Sequence, residues 1–130
     1  MKLEAITSPK LPEPIGPYSP AVKVSGGTAV YVAGMTALNA SKQIVGEGDV
    51  KAQARQVIEN IKYALEAAGG SLANVVRTTV YLIDISKFSD VNGIYGEYFK
   101  EPYPARVVIQ AAALPRKEFL VEIDAIAVLP

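Results

Sequence analysis

Two segments that must be strands are apolar on both sides, while only two segments have the spacing of a helix. In EFLVEIDAIAV (118–128), Phe119, Val121, Ile123, Ala125 and Ala127 alternate onto one side and Leu120, Ile126 and Val128 onto the other. In VVRTTVYLIDI (75–85), Tyr81 and Ile83 oppose Val76, Val80 and Leu82. A sheet built from such strands has to be covered on both faces. In 50–68, Val50, Ala54, Val57, Ile58, Ile61, Leu65 and Ala68 form an apolar stripe, and Lys51, Arg55, Glu59, Lys62 and Glu66 form a solvated one. The second helix, from about 87 to 100, carries Phe88, Val91, Tyr95, Tyr98 and Phe99. Two helices cover one face of a five- or six-stranded sheet. The other face needs a partner, and the simplest is another copy of the chain.

A length of 130 residues, half of them apolar, fits a single domain over 1–130. The predicted order is βββαβαββ, an α+β domain with a mixed sheet and two helices on one face. A short strand lies within 1–8, with Leu3, Ala5 and Ile6 as its apolar members. Residues 9–20 hold five of the nine prolines and form an ordered loop. AVKVS, Gly26-Gly27 and TAVYVAG read as a β-hairpin, because two glycines supply the positive φ of a tight turn. Asp49 is placed to cap the first helix, Gly69-Gly70 to end it, and Glu101-Pro102 to stop the second. ARVVIQAAAL (105–114) and 118–128 are joined by Pro115-Arg116-Lys117, which predicts a second hairpin.

Composition narrows the chemistry. Without cysteine there is no thiolate nucleophile, disulfide framework or Cys-ligated metal. Without histidine there is no Ser-His-Asp triad, HExxH zinc site or imidazole acid–base pair. Thirteen Lys/Arg balance thirteen Asp/Glu, which argues against a nucleic-acid or membrane binder that works by bulk charge. No apolar run approaches a membrane span, and MKLEAITSPK has no apolar core of a signal peptide, so the cytoplasm is the expected location. Catalysis, if present, rests on Asp, Glu, Lys, Arg, Tyr, Ser, Thr, backbone groups and water.

Arg106 shares a strand side with Val108 and Gln110, where a guanidinium is costly unless paired or wetted. Glu122 and Asp124 share a side of the last strand. Within the predicted hairpin, Arg106 and Glu122 border one cavity without necessarily pairing. Either Arg106 makes a structural salt bridge, or its two-pronged fork holds a substrate carboxylate while Glu122 orients water. Tyr18, in the stiff IGPYSP loop, is either packed or aimed at that site. Asn92, on the apolar stripe of the second helix, reads as a buried amide satisfying its surroundings. Gly34, at a strand end, allows a turn or the close approach of a ligand.

IGPYSPA (15–21), VAG (32–34), DVKAQARQVIENIKYALEAAG (49–69), VRTTVYLID (76–84), VN (91–92), PARVVI (104–109), ALP (113–115) and VEIDAIA (121–127) occur in the order of the RidA/YjgF family, which the chain resembles over nearly its whole length. The resemblance implies a chorismate-mutase-like fold and a homotrimer whose sheets enclose a central barrel, with sites in clefts between subunits. It implies hydrolysis of 2-imino acids such as 2-iminobutanoate and 2-iminopropanoate to 2-oxo acids and ammonia, without a cofactor. Arg106 matches the family's carboxylate-gripping arginine, Glu122 its water-orienting glutamate, Tyr18 a cleft tyrosine, and Asn92 a supporting asparagine; Gly34 and Val108 fall at the substrate. Two positions depart from the family pattern: Val108 stands where a cysteine is common, and Ala33 where a serine often precedes the glycine. The backbone at Val108 still offers a contact to water, whereas Ala33 removes one hydrogen bond. An imine is already electrophilic, so its hydrolysis needs only a held substrate and a placed water. A non-enzymatic trimeric binder of small metabolites is the alternative, and a ribonuclease the weakest reading.

Overall fold

The structure is a computed structural model describing residues 1–130. Its strands are β1 (Lys2–Ile6), β2 (Ala21–Ser25), β3 (Thr28–Met35), β4 (Val75–Leu82), β5 (Ala105–Gln110) and β6 (Val121–Leu129); its helices are α1 (Val50–Ala67) and α2 (Phe88–Tyr98). The order is the predicted βββαβαββ. Asp49 caps α1 by accepting from the backbone N–H of Lys51 and Ala52, and Gly69 ends it at φ +87°. No helix is long and apolar enough to cross a membrane.

The main sheet has four strands in the order β3-β6-β4-β5. β6 is antiparallel to both β3 and β4, and β5 is parallel to β4. β1 and β2 form a separate antiparallel ribbon. Both helices lie on one face of the main sheet. There Val121, Ile123, Ala125 and Ala127 of β6, Val75, Val80 and Leu82 of β4, and Val57, Ile58, Ile61 and Leu65 of α1 make one core. Leu120, Tyr81, Ile126 and Val128 are half-buried and Ile109 is exposed, so the other face of the sheet is bare in the single chain.

Three expectations are corrected. β5 and β6 do not form a hairpin: β4 lies between them, because β5 follows α2 and enters as a parallel crossover strand. β2 and β3 are not paired either. Gly26 and Gly27 do take positive φ (+74° and +86°), but they link the ribbon to the sheet. Finally, a register shift between Val75 and Arg77 puts Val75, not Val76, in the core with Val80 and Leu82.

Gln53 was not among the apolar positions of α1, yet it is fully buried. Its amide Nε2 donates to the carbonyls of Gly46 (3.2 Å) and Glu118 (2.9 Å), and its Oε1 accepts from the Leu120 N–H (2.8 Å). One side chain thus ties the loop before α1 to the approach to β6, where no strand satisfies these backbone groups.

Candidate functional site

Arg106 is the second residue of β5, an edge strand whose alternation turns it toward the helices beside Thr78 of β4. Its Nη1 donates to Asn92 Oδ1 at 2.6 Å. The guanidinium carbon lies 4.8 Å from the ring centre of Tyr95, 5.4 Å from Tyr18 and 5.5 Å from Phe88, so three aromatic rings surround it. No carboxylate is within ion-pair distance. Burial holds its pKa below the usual arginine value, opposed in part by the Tyr95 and Tyr18 phenols. The setting is a half-buried cation with most of its donors unused, a receptor for an anion with a flat two-oxygen head.

The cage is built locally. Phe88, Asn92 and Tyr95 stand on one side of α2 at helical spacing. Tyr95 stacks on Phe99 (centroids 4.3 Å apart), and its hydroxyl shares a 2.8 Å hydrogen bond with the buried Thr78 hydroxyl. Burial raises the Tyr95 phenol to about 12, so it stays neutral. Tyr18 arrives on the proline-rich loop, which is pinned to the start of β5: the Ser19 N–H donates to the Pro104 carbonyl at 3.0 Å, and Ser19 bridges to Ala105 in parallel. Gly16 lies over the same spot, where a Cβ would stand 3.2 Å from Asn92 Nδ2 and 3.4 Å from Arg106 Nη2.

Glu122 belongs to the other face. It pairs with Tyr81 across β4 and β6, on the side away from the helices. Burial, and then the neighbouring Asp124 charge, raise its pKa above the ordinary glutamate value. Asp124 is itself tied down, accepting from the Tyr81 hydroxyl (3.0 Å) and the Thr79 N–H (3.2 Å). That bond raises the Tyr81 pKa. Gly34 sits in the irregularity of β3 between Val32, which pairs with Ala125, and Met35, which pairs with Ile123, and a Cβ there would run into the Glu122 carboxylate. The glycine makes room for that side chain rather than for a turn.

The structure therefore groups Arg106, Asn92 and Tyr18 at one edge, and Glu122 with Gly34 on the bare face. Val108 is on the Arg106 side, packed against the core. The expectation that Arg106 and Glu122 border one cavity does not hold within a chain. It rested on the hairpin; with β4 between the strands and the two residues on opposite faces, the sheet itself separates them. Sequence spacing alone places Phe88 and Tyr95 in the core, and nothing in it marks Gly16 or Thr78 as part of the site. The signal for the two aromatics was their spacing with Asn92 on one helix side.

Residues 8–129 match the family model described as endoribonuclease L-PSP. A RutC family protein of Pyrococcus abyssi is 47% identical over 127 residues, covering 98% of both chains. The human 2-iminobutanoate/2-iminopropanoate deaminase is 43% identical over 95% of this chain and 88% of its own. Among solved structures, the Rid-family protein YyfB of Yersinia pestis, described as of unknown function, superposes with a TM-score of 0.91 at 31% identity, covering 99% of this chain and 100% of that one. E. coli TdcF with bound serine superposes at 0.72 with 34% identity, covering 98% and 99%. Matched along almost its full length by family, sequence and fold, the chain belongs to the RidA/YjgF family.

Proposed function

We propose that the protein hydrolyses small 2-imino acids to 2-oxo acids and ammonia, and that it does so as a homotrimer. The observation that carries this reading is the unpaired, aromatic-caged guanidinium of Arg106. A 2-imino acid carries one permanent anion, its carboxylate, and a planar fork binds it through two parallel hydrogen bonds. The deaminase name of the human relative and the serine bound to TdcF both concern small molecules with such a carboxylate.

Because the sheet separates Arg106 from Glu122, a site using both draws them from two copies. Arg106 of one chain holds the carboxylate, and Glu122 of a neighbour accepts a proton from water as the water oxygen bonds to the imine carbon. The imine reacts as its protonated form, so attack leaves a neutral carbinolamine. Glu122 then returns its proton to the nitrogen, the C–N bond breaks as the hydroxyl oxygen forms the C=O bond and releases its proton to solvent, and ammonia leaves with the 2-oxo acid. A glutamate with raised pKa is a better base for this than an ordinary carboxylate. Covering the bare faces in a ring and completing the site are then one event.

The test generates 2-iminobutanoate in situ and follows its decay with and without the protein. Decay at the uncatalysed rate would leave the metabolite-binding reading. Mixing subunits tests the shared site: Arg106→Ala and Glu122→Gln, each impaired alone, should regain about a quarter of wild-type activity when refolded together, since random mixing restores one site in about four.

A further inference from the structure

We infer that the β1–β2 ribbon is exchanged between copies, with β2 of one chain pairing along the open edge of β3 in a second. The ribbon contributes no buried residue to its own chain: every residue of β1 and β2, and every residue before Ser19, is exposed or half-buried. Four of the eight large exposed apolar side chains (Met1, Ile6, Leu11 and Ile15, the last 94% exposed) precede residue 16. An isolated two-stranded ribbon is marginal in water. β3, meanwhile, is an edge strand of the main sheet with a row of unpaired backbone groups, and its Tyr31 is 78% exposed.

The two surfaces match in register. Leu3 pairs with Val24 and Ala5 with Val22, so one ribbon face is apolar, while Lys2, Glu4, Lys23 and Ser25 occupy the other. If β2 pairs with β3 as across a two-residue turn, Val24 falls opposite Ala29 and Val22 opposite Tyr31. Val32 is buried under the helices, so Ala29 and Tyr31 face the bare side. The apolar ribbon face then continues the bare face of the sheet, and its charged face turns to solvent.

The chain's own β3 is out of reach. Ser19 is held outside β5, and the outer flank of β3 lies five strand spacings away, about 24 Å. Ala21 follows Ser19 by two residues, a reach of about 7 Å. Docking Tyr18 and Ser19 on the chain's own Arg106 edge and pairing β2 with its own β3 therefore exclude each other. With the loop docked as seen, the β3 that β2 completes belongs to another copy. Ser25 and Thr28 are three positions apart, with only Gly26 and Gly27 between them, so the β3 starts of exchanging copies lie within about 15 Å.

The exchange rests on the assembly proposed above but not on the reaction. The chain has no cysteine, so introduced thiols report without background. The test places Val22→Cys and Tyr31→Cys in one chain, oxidises it, and runs it on a denaturing non-reducing gel. Sedimentation of the unmodified protein and imine decay are measured beside it. Exchange predicts covalently linked chains in place of most of the single-chain band. A single-chain band with its thiols consumed, or no disulfide at all, overturns it. If sedimentation still shows three copies in that case, the exchange fails and the ring stands; if it shows single chains, both fall. Val24→Cys with Ala29→Cys repeats the test should the first pair disturb folding.

Discussion

The two faces of the main sheet have the same strands and opposite fates. The helix face is closed by eighteen buried residues, and its one buried hydroxyl pair, Thr78 with Tyr95, is mutually satisfied. The bare face has apolar Ile109 and Tyr31 beside Glu122, Asp124 and Tyr81. Asp124 and Tyr81 satisfy each other, whereas Glu122 keeps a raised pKa with no protein donor on its carboxylate. A face that serves only the fold settles its polar groups internally. A face with one unsettled acid among apolar side chains is built to meet something else. Arg106 extends the contrast: it belongs to the helix face but stands at the edge, where its unused donors point to a ligand.

Four changes test this contrast. The largest effect belongs to Arg106→Ala, which should abolish measurable imine hydrolysis with secondary structure and sedimentation unchanged; Arg106→Lys should keep the charge, lose the fork, and raise KM more than it lowers kcat. Next, Glu122→Gln should lower kcat by about 10²–10⁴-fold. In the wild type the rate should fall as pH drops through the raised Glu122 pKa, and this limb should vanish in the variant. The same carboxylate weakens the fold once charged, because a glutamate pKa raised by folding gives stability that is lost as pH rises through it. Glu122→Gln should therefore melt no lower than wild type near neutral pH, whatever it does to the rate. Third, Ile61→Ala on the helix face should cost about 2–5 kcal/mol in denaturant unfolding, the usual penalty of a cavity in a closed core. The smallest effect is expected from Asp124→Asn: about 1 kcal/mol or less, with the Tyr81 phenol titrating closer to its ordinary value by ultraviolet absorbance. A bare-face variant as destabilising as Ile61→Ala in isolated chains would erase the difference between the faces.

Much of the fold was legible because periodicity records which side of an element is covered. The α1 stripe from Ala54 to Leu65, the Asp49 cap and the β6 alternation all reappear in the structure. Strand pairing was not legible in the same way. Pro115-Arg116-Lys117 looks like a hairpin turn, but turn residues report a change of direction and not which strand lies alongside, and β5 was taken by β4. Gly26-Gly27 misled for the same reason: positive φ serves a hinge as well as a hairpin. At the site, Arg106 and Glu122 stood out because charge is rare inside apolar strands. Their placement on opposite faces depended on the strand order. Phe88 and Tyr95 were hidden because an aromatic that lines a cation has the same spacing as one that fills a core.

Gln53 sets more than the loops it joins. Side chains on a strand alternate with a period of two, so a slip of β6 by one residue would carry Glu122 through the sheet to the helix side and bring Val121 or Ile123 out in its place. The Gln53 amide grips the Leu120 N–H and the Glu118 carbonyl just before the strand begins. It holds the count from which every later residue of β6 takes its side. The handedness of the bare face, acid outward and aliphatic inward, is thus decided some distance away, by an uncharged side chain buried in a helix that never approaches that face.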